Sequence, residues 1–507
     1  MVRLFCRTLG RYHLRRAKDF HSQPAAALPR RFQTSTACGG CAATVRLRAA
    51  GREGMPPYRS RIFSLLADPI RPTPVVAAMT IWGCPMKMRD LGAVALALVS
   101  TAAMAQTPQK PIPGLNETDP PYATESVINH PVTIGWPDGR TPTAPRGWEV
   151  VKFAGGLEYP RQALLLPNGD VLVSEARTLP KLDADPEVAR GQALSKTTGY
   201  SANRITLLRD VNRDGVAEQR FVLREGLNQP FGMQYANGRL YVGNTDAVVS
   251  FPYQPGQTSI TAAPRTHVTL PAGGYNNHWT RNLLLSPDAR TLYVAVGSAS
   301  NVGEYGMDEE KRRAAILAID LSTGRERLYA SGLRNPVGMD FMPGTSTLWT
   351  AVNERDEIGD DISPDYLVGV REGGFYGWPY SYYGKQDPRH ANEKRELLAT
   401  TLLPDVAVGA HAAALGIGFA KQGAPTAFVA RHGSWNRSSF KGYDVLAVPF
   451  ANGRPTGEPQ PFLTGFVADE KKGTVYGHPA SIQTRADGAV FVIDDAGDTV
   501  WMVRRKG

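Results

Sequence analysis

The chain has 507 residues, with 57 Lys and Arg, 47 Asp and Glu, and four cysteines. Residues 1–105 hold 16 of the basic and four of the acidic residues, so residues 106–507 keep 41 and 43 and are nearly neutral. The basic excess is therefore local, and nucleic-acid binding loses its main support. All four cysteines also precede residue 85, so the remainder must be stabilised by a buried core rather than by disulfides.

Residues 86–105 have the pattern of a secretory signal peptide. A short basic start at Met88-Arg89 precedes the apolar run 91–99, and Ala103-Met104-Ala105 forms an Ala-x-Ala cleavage site. The apolar run is too short to cross a bilayer, and no later stretch is long enough. We expect a mature protein that is periplasmic or secreted and has no membrane span. Residues 1–85 are interpreted as an upstream extension that is not translated, or alternatively as a targeting or disordered arm.

Residues 106–147 are rich in Pro, Thr and Asp and are predicted to form an extended lead-in. From residue 148 to 507 one phrase recurs six times: a Gly- or Asn-led polar turn, then alternating strands. The turns are Gly156–Pro160, Gly226–Pro230, Asn276–His278, Gly332–Pro336, Gly409–His411 and Gly477–Pro479. Such repetition predicts an all-β, six-bladed β-propeller. Two stacked sandwiches are the alternative, but they would not explain the recurrence.

In a propeller, residues just before the inner strand of each blade face one another across the channel mouth. Here those positions hold Tyr159, Asn228, Gln229, His278, Arg334, Asn335, His411 and His478. Small or apolar residues would suffice for a structural role, so this ring predicts a polar, cationic ligand site. Any single member, taken alone, could be an ordinary loop residue.

At these positions the chain resembles the soluble quinoprotein sugar dehydrogenases of the glucose/sorbosone dehydrogenase family, closest to the sorbosone branch. The resemblance spans roughly residues 150–503. Four segments carry it: Asn277–Leu283 with Ser286–Asp288, Gly332–Met339, Asn353–Arg355 with Gly359–Asp361, and Gly373–Pro379.

The resemblance implies a propeller carrying pyrroloquinoline quinone (PQQ) and Ca²⁺, which oxidises an aldose or a sorbosone-class sugar by hydride transfer to PQQ. By this resemblance His278 is the general base. The residues expected to bind the cofactor are Arg334, Asn335, Gln229 and His478, with either Arg437 or Lys441 in place of the family's cofactor-contacting lysine. Calcium is expected at Glu354 and at the backbone oxygen of Arg355. No Cys-x-x-Cys-His occurs, so electrons are expected to pass to an external quinone or cytochrome.

The chain departs from the family pattern at two points. Residues 297–301 lack the carboxylate that orients the family's histidine, so Ser298, Asn301 or Glu304 must hold the imidazole instead. His478 stands where the family carries an arginine. A separate loop, 210–215, opens like a calcium-binding EF-hand, but Phe221 replaces the required Glu, and an Asx-rich hairpin turn is the preferred interpretation.

Two other functions compete with the dehydrogenase. A calcium-dependent propeller lactonase would need a ring of Glu, Asn and Asp around the ion, whereas this ring is rich in His and Arg. A non-catalytic binding propeller would tolerate the loss of His278, which an enzyme would not.

Overall fold

The computed structural model describes residues 111–116, 119–181 and 184–507. The predicted extension and signal peptide lie outside these residues. The described chain contains 31 short strands, two short helices and one 3-10 turn. The predicted all-β class is confirmed. No helix in the described ranges is both long and apolar enough to cross a bilayer.

The described residues contain six sheets of four or more strands, which we number I to VI along the chain, and two smaller sheets. The lead-in contains β1 (Val132–Thr133), and β2 (Trp148–Gly155) follows it. Sheet I comprises β3 (Pro160–Leu165), β4 (Val171–Glu175), β5 (Arg204–Arg209) and β6 (Gln219–Arg224). Sheet II comprises β7 (Met233–Ala236), β8 (Arg239–Gly243), β9 (Ala247–Pro252) and β10 (Arg265–Thr269). Sheet III comprises β11 (Arg281–Leu285), β12 (Thr291–Val296), β13 (Ala315–Asp320), β14 (Glu326–Ser331) and the later short strand β18 (Gly374–Phe375), which pairs in parallel with β14.

The remaining sheets follow in the same way. Sheet IV comprises β15 (Asn335–Phe341), β16 (Leu348–Asn353), β17 (Pro364–Gly369) and β21 (Val406–Ala410). Between β17 and β21 the chain also forms β18 and the short strands β19 (Ser381–Tyr382) and β20 (Lys385–Gln386), of which β19 and β20 pair with each other. Sheet V comprises β22 (Ala414–Phe419), β23 (Thr426–Arg431), β24 (Asp444–Ala451), β25 (Arg454–Pro455) and β26 (Gln460–Leu463). Sheet VI comprises β29 (Pro479–Thr484), β30 (Val490–Asp494), β31 (Thr499–Arg505) and the early strand β2, while β27 (Val467–Asp469) and β28 (Thr474–Val475) lie between sheets V and VI in the chain.

The two ends of the sheet-forming region meet in sheet VI. Strand β2 pairs antiparallel with β31, from Trp148 opposite Arg505 to Gly155 opposite Thr499. Sheet VI therefore has the order β2-β31-β30-β29 and joins the first strand of the region to its last three.

The sheets pack in closed cyclic order. The first strands contact one another as β3–β7–β11–β15–β22–β29 and back to β3. Each pair of neighbouring sheets encloses its own cluster of buried apolar side chains; Val173 of sheet I packs with Phe491 of sheet VI, for example. Burial of branched and aromatic side chains between successive sheets is the dominant stabilising contribution. This order brings the beginnings of the six first strands around one axis.

The lead-in packs on the sheets. Tyr122 N donates to Ile358 O at 2.7 Å, and Asn129 N donates to Trp435 O at 2.7 Å. Strand β1 pairs in parallel with β28, and Trp136 Nε1 donates to Asp494 Oδ2 at 2.6 Å. The segment thus runs along sheets IV, V and VI.

The helices lie in two long connections. Helix α1 (Pro186–Leu194) follows β4, and its first turn is capped by Asp185, whose carboxylate accepts from Glu187 N at 2.8 Å. The 3-10 turn Pro388–His390 and helix α2 (Arg395–Leu398) lie between β20 and β21.

Candidate active site

An apolar floor closes the axis at one end of the sheets. Six buried side chains form it, and each sheet supplies one of them, either from a strand or from a residue next to a strand. They are Ala176, Phe231, Trp279, Val337, Leu415 and Ala480. First strands begin at this end and second strands end there, because neighbouring strands are antiparallel. We call the polar layer above the floor the mouth; it comprises the residues just before each first strand and just after each second strand. Gln229, His278, Arg334, Asn335, His411 and His478 all lie in it.

His278 is held by Ser298. The His278 Nδ1 atom lies 2.8 Å from Ser298 Oγ, and that hydroxyl donates to Ser300 O at 2.6 Å. Since the hydroxyl proton is already used, Nδ1 carries the hydrogen and donates to Oγ. The lone pair is therefore on Nε2, and no described residue forms a hydrogen bond with Nε2. This tautomer is the one that a general base needs.

Glu310 fixes the loop that holds the histidine. Its buried carboxylate accepts from Ala299 N at 2.9 Å and from the Ser300 hydroxyl. Burial raises the pKa of Glu310 above its ordinary value. Of the three orienting residues predicted, only Ser298 contacts the ring; Glu304 accepts from the backbone of Asn301 and of Val302 instead. Glu310 was not predicted, since it stands ten residues downstream in a turn.

Arg334 is buried, and the protein itself satisfies its guanidinium. Nε donates to Asn301 O, and Nη2 donates to Asn301 Oδ1 and Asp356 Oδ2, each at 2.9 Å. Nη1 donates to Asn353 Oδ1 at 2.9 Å and to Glu354 O at 2.5 Å. All five N–H groups of an arginine are thus engaged. Arg334 contributes positive charge to the mouth, and a ligand would have to share or displace one of these bonds.

Asp356 joins Arg334 to His411. Its Oδ1 lies 3.2 Å from His411 Nδ1, while His411 Nε2 donates to Gly359 O at 2.9 Å. Burial opposes the charge of Asp356, but the Arg334 charge and the His411 hydrogen bond outweigh it and lower the pKa of Asp356 to about 2. Burial likewise opposes the charge of His411, but Asp356 raises the pKa of that imidazole. Several acids crowd this loop, and sequence reasoning did not single out Asp356.

His278 is a neutral imidazole in this environment. Burial and then the charge of Arg334 lower the pKa of His278 to about 3, although Asp356 opposes the shift. The pKa values of the two mouth histidines thus shift in opposite directions. The shift favours the neutral form of His278 and the charged form of His411.

This contrast gives a testable result for ligand-free protein. With ¹⁵N-labelled histidine, we expect the NMR shifts of His278 to report a neutral ring with hydrogen on Nδ1 at pH 5.5, while His411 is protonated. The measurement is a pH titration of ring-nitrogen shifts, assigned with His278→Ala and His411→Gln. A His278 that titrates near its ordinary value of about 6.5 would contradict this electrostatic account.

Asn335 and His278 flank Gly297. A Cβ atom on Gly297 would lie 2.5 Å from both Asn335 Oδ1 and His278 Cβ, so only glycine fits. Asn335 is buried, and its Oδ1 has no hydrogen-bond partner among the described residues. A buried amide oxygen without a donor is costly, and it offers an acceptor to a ligand.

Other predicted ligand residues are engaged in different ways. Gln229 Nε2 donates to Arg177 O at 2.9 Å. Arg437 donates to Asp360 O and pairs with Asp361 at 2.8 Å. Lys441 lies on the same loop, and burial, followed by the charge of Arg431, lowers its pKa.

His478 is buried at its position in the mouth. Its Nδ1 contacts His432 O at 3.0 Å, and its Nε2 contacts Thr133 Oγ1 at 2.9 Å. Burial and then the charge of His432 lower the pKa of His478 to about 3. Neither ring nitrogen is free and the ring is neutral, so it does not replace the arginine of the resemblance as a cation.

In the loop where calcium is expected, the charged side chains pair with other groups of the protein. The Glu354 carboxylate accepts from Arg355 Nε at 2.9 Å, and Arg355 Nη1 pairs with Asp387 at 2.7 Å. Glu354 O faces Arg334, as described above. The backbone oxygen of Arg355 accepts no hydrogen bond from a described residue, but the carboxylate of Glu354 does not fit a calcium ligand while it is bound to Arg355.

In the described ranges, three carboxylates close enough to share an ion occur at Asp210, Asp214 and Glu218, in the turn between β5 and β6. This turn is held by its own contacts: Gly215 N donates to Asp210 Oδ2 at 2.9 Å, and Val211 N donates to Glu218 Oε2 at 2.7 Å.

Comparison with known proteins relates the chain to carbohydrate oxidoreductases. The family model described as TrAA12-like matches residues 142–365 and 386–506. A PQQ-dependent pyranose dehydrogenase from Coprinopsis cinerea is 24% identical over 348 residues, which are 60% of this chain and 44% of that protein. An uncharacterised protein from Borreliella burgdorferi is 29% identical over 302 residues, 56% of this chain and 77% of that one.

Solved structures share the fold. A family AA12 carbohydrate-active enzyme from Trichoderma reesei matches with a TM-score of 0.59 and 22% identity, covering 75% of this chain and 99% of its own. The holo PQQ domain of the C. cinerea pyranose dehydrogenase matches with a TM-score of 0.59 and 20% identity, covering 74% and 99%. The family match covers more than half of the sequence, and the chain is a member of the TrAA12-like family.

Proposed function

We propose that this protein is a PQQ-dependent sugar dehydrogenase acting on an aldose or a sorbosone-class sugar, with the six sheets forming the blades of a six-bladed β-propeller. Family membership and the relative named as a PQQ-dependent pyranose dehydrogenase support the reaction class. The cyclic packing of sheets I to VI supports the architecture.

The observation that carries the proposal is the state of His278. Ser298 holds the hydrogen on Nδ1, so Nε2 keeps a free lone pair in the cationic mouth. That nitrogen can take the proton from a sugar hydroxyl. PQQ, when bound, supplies the acceptor for the hydride. The positive charge of Arg334 nearby favours negative charge that develops in the mouth.

The residues of the mouth fit an acidic, planar cofactor. PQQ carries three carboxylates, an ortho-quinone and one pyrrole N–H, and that N–H is the group that can donate to the unpartnered Asn335 Oδ1. We propose that Asn335 and Gln229 contact the cofactor, that Arg334 acts on it chiefly through its charge, and that Lys441 or Arg437 approaches from sheet V. The neutral, engaged His478 is left out of this set.

Of the two calcium ligands predicted, one remains in the proposal. The backbone oxygen of Arg355 is the remaining ligand, since Glu354 is bound to Arg355. We therefore derive no catalytic step from the ion. The predicted signal peptide supports export to the periplasm or beyond, and the reduced cofactor would pass its electrons to an external quinone or cytochrome.

A lactonase is less well supported. Hydrolysis around a catalytic calcium needs several free acidic ligands, and two carboxylates of the described mouth, Asp356 and Asp495, are each paired with an arginine and a histidine.

The test is an assay of purified residues 106–507 with a redox dye and a panel of pyranoses, with and without PQQ. We expect dye reduction that requires PQQ. Hydrolysis of sugar lactones with calcium alone would support the lactonase instead, and the absence of both activities would support a binding protein.

A further inference from the structure

Sheet I places two arginines in the mouth. The resemblance described in the sequence analysis did not predict either of them as a ligand residue. Arg161 lies at the start of β3, and Arg177 lies two residues beyond the end of β4. Both positions are at the floor end of the sheet. The residue after Arg177, Thr178, accepts from the floor tryptophan, Trp279 Nε1, at 2.8 Å. Gln229 Nε2 holds the Arg177 backbone from sheet II.

Aromatic rings cover one face of each guanidinium. Arg177 lies over the ring of Tyr159 at 4.5 Å, and Arg161 lies over Phe231 at 5.1 Å and Trp279 at 5.5 Å. Such stacking fixes the plane of a guanidinium while its N–H edge stays available for hydrogen bonds. The two arginines are thereby preorganised.

Their N–H groups are incompletely used. Arg177 is partly buried, yet its guanidinium forms no hydrogen bond or ion pair with a described residue, and its buried Nε has no partner. Arg161 Nη1 pairs with Asp495 at 2.7 Å, but its buried Nε is also unpartnered. Buried donors without acceptors are unfavourable, and the guanidinium of Arg177 keeps N–H groups that can donate to an anionic ligand.

The charge balance of the mouth singles out Arg177. Asp356 is shared by Arg334 and His411, and Asp495 is shared by Arg161 and His432. The nearby Asp498 accepts from Tyr159 N at 3.2 Å and lies 3.8 Å from Lys196 Nζ. Arg177 is thus a guanidinium of the described mouth that these contacts leave without an ion pair.

We propose that Arg177, assisted by Arg161, binds a carboxylate of the quinone cofactor through the N–H edge of its guanidinium. This inference rests on the proposed function, since it names the residue that recognises the cofactor in the same mouth. It assigns recognition of the carboxylate to sheet I rather than to Arg334, whose N–H groups are all engaged by the protein. A planar fork matches a carboxylate in two-point geometry, which a lysine cannot reproduce.

The experiment measures equilibrium binding to ligand-free protein rather than turnover. PQQ and its trimethyl ester, which lacks the acidic groups, are titrated and followed by quenching of tryptophan fluorescence. We expect wild-type protein to prefer PQQ over the ester. Arg177→Gln should weaken PQQ binding roughly ten- to a hundredfold and leave ester binding nearly unchanged. Arg177→Lys should fall between Gln and wild type.

The matched control is Arg290→Gln. Arg290 is 86% exposed in the turn between β11 and β12, at the end of sheet III away from the floor, and its replacement should not alter binding. Thermal unfolding of each variant checks that the fold is intact. If Arg177→Gln instead weakened binding of D-glucuronate but not of PQQ, the arginine would serve an acidic substrate and the inference would be wrong.

Two failures can be told apart. Wild-type protein that does not bind PQQ overturns both the proposed function and this inference. Wild-type protein that binds PQQ, together with an Arg177→Gln variant that binds it equally well, overturns the inference alone.

Discussion

Replacing His278 by Ala is expected to lower the turnover number for sugar oxidation by about 10²- to 10⁴-fold, the usual contribution of a general base. The variant removes the Nε2 lone pair, which no described residue near it replaces. The measurement is dye reduction at saturating PQQ and sugar. The fold should persist, because the ring contributes one side-chain contact to Ser298 and no part of the apolar floor.

The control for this variant is His267→Ala. His267 lies on β10, the last strand of sheet II, where it contacts Ser250 Oγ at 2.7 Å. Its loss should leave the turnover number within a factor of about two, since it is far from the mouth in the sheet order. A His278→Ala enzyme that kept more than a tenth of wild-type turnover would remove His278 from the role of base.

Replacing Asp356 by Asn is expected to destabilise the protein by about 3 kcal/mol, because it leaves the buried Arg334 without its carboxylate and removes the anionic partner of His411. The pKa of Asp356 is lowered to about 2, so its ion pairs stabilise the fold above the unfolded value near 4 and are lost as the pH falls towards 2. The effect is therefore complete at neutral pH. Urea unfolding at pH 7 measures it.

Asp361→Asn provides the comparison from the same loop. Asp361 also pairs with an arginine, at 2.8 Å, but its side chain is 53% exposed. Exposed pairs contribute about 0–1 kcal/mol, so this variant should be nearly as stable as wild type. Equal losses of stability in the two variants would mean that the Asp356 network is no more than a surface ion pair.

The sequence was most informative where the repeats were. The recurring polar turns predicted strands after each of them, and the all-β class was confirmed. The equivalent positions of His278 and Arg334 in successive repeats predicted that both would lie at one end, and Ser298 contacts both, through the His278 ring and through the backbone oxygen of Arg334 at 2.9 Å. Such positions can be read from sequence because one geometric rule governs each repeat.

The sequence was least informative where distant segments meet. His478 occupies one of the repeat-equivalent positions around the mouth, yet Thr133 from the lead-in contacts its Nε2. Nothing in the sequence near residue 478 indicates this contact. Glu310 and Asp356 come from connections after second strands, where length and composition vary between repeats. Glu354 was predicted from the resemblance of its loop to the family's calcium loop, but it pairs with Arg355, which also pairs with Asp387, 32 residues further along the chain.

The most direct test of the central claim is a stoichiometric reaction between the protein loaded with PQQ and a pyranose, without air or dye. We expect each active pyranose to convert the absorption spectrum of the bound quinone to that of its reduced form, one equivalent per chain, in wild-type protein and at least a hundred times more slowly in His278→Ala. A bound quinone whose spectrum stays unchanged with every sugar, or one reduced equally fast without His278, would contradict the account.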